Sequence, residues 1–201
     1  NALGAGDRRE AARTASQGVI LCLLAGTVVM VIGYLSVPSL FRMLGAQEEY
    51  LQICLDYMMV ILAGTWIVMT VYMLNGILNA QGDTRAFRDY LIGATFLNLA
   101  LDPWFMYGGF GLPAMGVRGI ALATLVAQGG GVVFLAWRAR RTGLLFRSEG
   151  ARWRPQYRVL LDIVGQGIPA SGNMMTVALG IFVITWFLSG FGQAAVAAYG
   201  V

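Results

Sequence analysis

Four stretches of this chain carry no charged residue at all: 18–41, 57–82, 119–137 and 163–201. A fifth, 90–117, is interrupted by a single acid, Asp102. Crossing the hydrocarbon core of a bilayer takes about 20 apolar residues in a helix. Each run is long enough, and nothing within it would hold it in water. The composition agrees. Charged residues are 12% of the 201, where a soluble domain carries roughly 25%, which leaves too few to cover a water-facing surface. The reading is an all-α, polytopic membrane helical bundle. The 27 glycines fit that class, because small residues let membrane helices pack closely.

The charges that remain fix an orientation. All 14 basic residues are Arg, and they gather in alternate connections. Arg8, Arg9 and Arg13 lie in the first, Arg85 and Arg88 in the third, and Arg138 to Arg158 hold seven in the fifth. The second and fourth have only Arg42 and Arg118. Basic residues favour the cytoplasmic side, so residue 1 is expected inside the cell. The expected location is a plasma or inner membrane, in a bacterium. The net charge of +4 then marks membrane topology and does not point to nucleic acid.

Helices are expected at about 15–37, 50–80, 88–107, 117–138 and 164–189, followed by a further helix cut short. Residues 1–14 read as the end of a preceding helix and a loop, and Pro38 as a stop for the first span. The polar segment 138–162 reads as a linker; Trp153 and Tyr157 among its arginines suggest a segment at the headgroup level, and an ordinary solvated loop is the alternative. The chain starts without Met and ends in an apolar stretch, and is read as an internal piece of a longer protein.

Chemistry-bearing motifs are few. With no His, no paired metal ligands, no nucleophile–base set and no phosphate-binding loop, neither an enzyme nor a resident cofactor is expected. Cys22 and Cys54 fall in or near apolar runs and suggest no disulfide. The exception is LNLALDPW, 97–104. A carboxylate at the centre of a membrane helix costs about 2.5–3.5 kcal/mol and normally faces a cavity or a partner. Asn98 and Asp102 are four apart, so they share a helix face. Burial raises the pKa of such an acid, whereas a bound cation lowers it; this is the physical basis of a proton or sodium site. Pro103 leaves the Leu99 carbonyl without its helical donor, as another ligand or a kink. The alternative is a solvated Asp-Pro ending the helix. Thr124 and Gln128 form a polar stripe beside small residues at 123, 127 and 131. A hydroxyl turned to its own backbone is the commoner role for such a Thr. Tyr57, Asn75 and Asn79 add polar groups in the helix at 50–80, and the methionines and aromatics offer the lining of a greasy pocket or ordinary packing.

Five segments in order resemble the multidrug and toxic compound extrusion (MATE) family: LGAGDRREAAR, GILNAQGDTR, NLALDPWFMYGG, GVRGIALATLVAQ, and GIPASGNMM with FGQAAVAAYG. The resemblance implies twelve helices in two lobes of six. This chain would hold the end of the second helix to the start of the eighth. Residues 1–137 would belong to the N-terminal lobe, 138–162 to the inter-lobe linker and 163–201 to the start of the C-terminal lobe. The implied function is antiport, with organic, cationic or amphipathic compounds leaving in exchange for protons or sodium ions. In the DinF-like branch the coupling site lies in the N-terminal lobe, and its Asn, Asp, Tyr and Thr match Asn98, Asp102, Tyr57 and Thr124. The network's other acid would lie on a helix not in this sequence. Implied partners are the organic substrate, the bilayer and the remaining helices of the same protein. A lipid-linked precursor flippase of the wider superfamily is the alternative, and a non-transporting membrane scaffold is a third reading.

Overall fold

The computed structural model describes residues 7–46, 48–109, 111–143 and 154–199. Seven helices follow one another: α1 (Arg8–Met43), α2 (Glu48–Ala63), α3 (Thr65–Ala80), α4 (Arg85–Tyr107), α5 (Val117–Arg141), α6 (Tyr157–Ser189) and α7 (Gln193–Tyr199). The fold is all-α, as expected, with no β-strand among the described residues.

Helix ends are set by local chemistry. Asp7 caps α1 by accepting from the Glu10 backbone N–H at 2.9 Å, so the helix begins a full two turns before the expected 15. Pro38 does not end it. Gly45 does, at φ 85°, with Ala46 N–H bonded back to the Phe41 carbonyl and Gly45 N–H to that of Arg42. Such a left-handed closure suits glycine. Gly82 ends α3 in the same way, and Asp83 accepts from Ala86 N–H at 3.2 Å to start α4.

The helix expected at 50–80 is two. α2 and α3 meet at Gly64 with a bend of 52°. Two local features explain the break. The Thr65 hydroxyl donates to the Leu62 carbonyl at 2.7 Å, a back-bond that bends helices. The Leu125 side chain from α5 occupies the place where a Cβ on residue 64 would stand. Further along, Arg138–Arg141 complete α5, and Tyr157–Asp162 open α6. Residues 144–153, which hold Trp153, lie outside the described residues.

α1 and α5 are each long and apolar enough to cross a membrane, and α2–α3 and the bent α6 qualify as broken spans. α4 falls short on apolarity, because Arg85, Arg88 and Asp89 open it and Asn98 and Asp102 interrupt it. α5 sits centrally, packed on α4, α3 and α2, while α1 packs on α3 and α2. The buried core lies at the Arg-rich end, where Ala12, Leu78, Ala86, Leu135 and Ala139 are fully covered. Toward the sides, Leu35, Leu99 and Val133 are more than 70% exposed. An apolar surface this open is at home only against lipid or further helices. Among the described residues α6 packs on α1 and α7 and on none of α2 to α5.

Candidate functional site

The α4–α5 contact positions the polar residues of interest. On α4 the covered side runs Ala86, Tyr90, Ala94, Asn98 and Asp102, every fourth residue. Opposite, α5 buries Gly119, Ala123, Ala127, Gly131 and Leu135 with the same repeat. The helices run antiparallel and close. At Gly119 the Phe105 carbonyl stands where a Cβ would be, and at Gly131 the Tyr90 ring does. Asn98 and Asp102 lie between these two contacts, abreast of the part of α5 that carries Thr124.

Both residues are half-buried. Asn98 Oδ1 and Asp102 Oδ1 are shielded and have no hydrogen-bond partner. The two side chains share a face, yet they are not bonded to each other. Polar atoms so placed cost about 1–3 kcal/mol each unless something satisfies them. Asp102 is also not at the helix end. α4 continues through Pro103 to Tyr107, and the following loop folds back, with Met115 N–H on the Phe105 carbonyl at 3.2 Å and Gly116 N–H on that of Met106 at 3.1 Å. Trp104 fastens this turn by donating to the Gly109 carbonyl at 2.9 Å.

The other two expected members stand differently. The Thr124 hydroxyl donates to the Ile120 carbonyl of its own helix at 3.1 Å. It is on the correct helix but turned to the backbone. Tyr57 is on α2, which makes no contact with α4 among the described residues; α5 lies between them. The structure therefore brings Asn98 and Asp102 together, with Thr124 alongside, and leaves Tyr57 apart. A third shielded, unpartnered oxygen belongs to Asn75 Oδ1 on α3.

Three polar contacts were not foreseen from sequence. Tyr90 donates its hydroxyl to Gln128 Oε1 at 2.7 Å, bridging α4 and α5 toward the Arg-rich end. At that end, Arg138 donates to Asp83 through Nε at 3.2 Å and Nη2 at 2.8 Å. The guanidinium holds the Asp83 carboxyl below the usual carboxylate range. At the opposite end, Asp56 of α2 accepts from Arg118 of α5 at 2.7 Å and from Gln52 at 2.9 Å. The signal for the first was present, since Tyr90 shares the register of Asn98 and Asp102. The ion pairs join residues 55 and 62 positions apart, which no local pattern reveals. No cluster of three His, Cys, Asp or Glu residues suited to a metal ion occurs among the described residues.

The MatE family model matches residues 1–104. The chain is 29% identical over 181 residues to the probable multidrug resistance protein YoeA of Bacillus subtilis, covering 89% of this chain and 39% of that one. It is 27% identical over 186 residues to the probable multidrug resistance protein NorM of Thermotoga maritima, covering 90% and 39%. Among solved structures, the inward-facing conformation of a multidrug resistance transporter of the same family superposes with a TM-score of 0.79 at 28% identity, covering 98% of this chain and 44% of that one. The chain thus spans about two fifths of the length of these relatives.

Proposed function

This chain belongs to the MATE family, and on that premise we propose that it forms part of a secondary active antiporter of a bacterial cell membrane. The whole protein exports organic, cationic or amphipathic compounds in exchange for protons or sodium ions. α1 to α5 belong to the first lobe, and α6 with α7 begins the second. The thin contact of α6 with the rest supports that division, because lobes that rock against each other share little packing.

The observation that carries the coupling site is the pair of shielded, unpartnered oxygens on Asn98 and Asp102. An ionised Asp102 in that place calls for a cation, and a protonated one becomes a donor that Asn98 Oδ1 can accept. Exchange between the two states changes which groups across α4 and α5 attract each other. That difference is what a ligand needs to shift a conformational equilibrium. Thr124 joins by rotating its hydroxyl from the Ile120 carbonyl. Tyr57 joins only if α2 moves relative to α5. No covalent step is involved, and the coupling ion is the only inorganic species required.

The test is transport by the complete protein in membrane vesicles. Efflux of a fluorescent organic cation is followed with and without a pH or sodium gradient. Asp102→Asn is expected to abolish the gradient-dependent component. Gradient-driven efflux at the wild-type rate in that variant overturns the reading.

A further inference from the structure

The exposed face of α5 changes character along its length. Val126 and Val133 are apolar and open, Trp137 follows one turn after Val133, and Arg141 comes one turn later. Steps of four keep Val133, Trp137 and Arg141 on one side of the helix. Val133 is 71% exposed and Trp137 46%, so this side is open and apolar, and it grades to charge toward the Arg-rich end. From Val133 to Arg141 the axis advances about 12 Å.

Arg141 does not reach onward into water. Its guanidinium carbon lies 3.7 Å from the centroid of the Trp137 ring. Helical side chains lean toward the helix N-terminus, and here that direction points back to the apolar strip. The charge is held at the level of the indole. A stack of this kind uses the face of the guanidinium, whereas its N–H donors lie in the plane and fan out at the rim. Among the described residues Arg141 has no carboxylate partner, and three acids of the other helices are engaged elsewhere. Asp83 is held by Arg138, Asp89 by Arg88, and Glu10 by Arg13. The indole N–H of Trp137 also has no acceptor among them.

We propose that the Trp137–Arg141 edge of α5 binds the phosphate of an anionic phospholipid in the leaflet on the Arg-rich side. The fork of Arg141 takes the phosphate oxygens, which is the geometry it matches best. The acyl chains lie along Val133 and Val126. The continuous apolar strip makes a lipid, and not free phosphate, the occupant. A helix C-terminus disfavours anions; Arg140 and Arg141 in the last turn offset that, while Arg138 is already paired with Asp83.

The test uses the complete protein in micelles containing equal phosphatidylglycerol and phosphatidylcholine, with retained lipid counted by native mass spectrometry. The wild type is expected to keep phosphatidylglycerol in preference. Arg141→Gln is expected to lower that preference about fivefold, the effect of one surface cation on an anionic lipid, and Trp137→Ala to lower it as well. Arg85→Gln removes the same charge from an exposed site on α4 and is expected to leave the preference unchanged. An equal fall in Arg85→Gln would show diffuse charge in place of a site and overturn the proposal. So would full preference in Trp137→Ala, the absence of any preference in the wild type, or displacement of the lipid by inorganic phosphate.

Discussion

Two stretches of the same helix pair treat buried polarity in opposite ways. Toward the Arg-rich end of α4 and α5, Tyr90 and Gln128 close a 2.7 Å bond, the Tyr90 ring fills the space over Gly131, and Arg138 grips Asp83. Two turns away, on the same stripe of α4, Asn98 and Asp102 keep oxygens that are shielded and unanswered. The scaffold is identical in both places, a four-residue repeat of covered positions on α4 against small residues on α5. The closed stretch holds the helices in register. The open one has its unmet bonds placed by that register, and those bonds are what an exchanged ion or substrate would satisfy.

Five substitutions press on the contrast. The largest effect is expected from Gly131→Leu, which drives a side chain into the Tyr90 ring. Overpacking of this kind costs about 1–3 kcal/mol or more, read as a lowered melting temperature or loss of folded protein. Gly93→Leu, with open space around residue 93, is expected to change little. If both variants melt alike, the closed stretch is not what sets the register. Next, Asn98→Ala removes a shielded amide with no protein partner. Stability should hold or rise, by up to about 1–2 kcal/mol, while ion-coupled efflux falls. A clear loss of stability would mean that the open stretch is structural after all.

A smaller effect is expected of Tyr90→Phe, which keeps the ring and removes the hydroxyl. Loss of that one bond should cost about 1 kcal/mol in thermal denaturation, and an unchanged melting point would remove the bond from the account. Smallest is the Asp83–Arg138 pair, which is partly exposed and worth about 1 kcal/mol or less. Its sign with pH is fixed, because the folded carboxyl titrates below the unfolded one. The stabilisation is complete above the unfolded value of about 3.9 and fades as pH falls through the lower folded value. Melting curves taken from neutral pH downward should show a shallower acid decline in Asp83→Asn than in the wild type.

Most of the architecture is legible in the sequence. Charge-free runs mark where helices cross, and the alternation of arginines orders their ends. The misplaced boundaries have identifiable causes. Pro38 looked like a stop, but a helix passes through it, and the real stop is the left-handed turn at Gly45. The break at Gly64 was hidden because part of its cause is on another helix, in the Leu125 side chain. Asn98 and Asp102 were legible as a pair, since a shared face follows from spacing alone. What spacing could not tell is which groups lie across from them. Thr124 is alongside but bonded to its own backbone, Tyr57 is screened by α5, and Tyr90 is bonded to Gln128.

The central claim is that Asp102 exchanges an ion for substrate. Adding a transported organic cation to the complete protein, in weakly buffered detergent solution, tests it directly. Protons or sodium ions released on substrate binding are read with a pH indicator and a sodium electrode. The wild type should release one of these ions as substrate binds, and Asp102→Asn should release neither while remaining folded. Release of the same size in Asp102→Asn, or substrate binding without release in the wild type, would contradict the account.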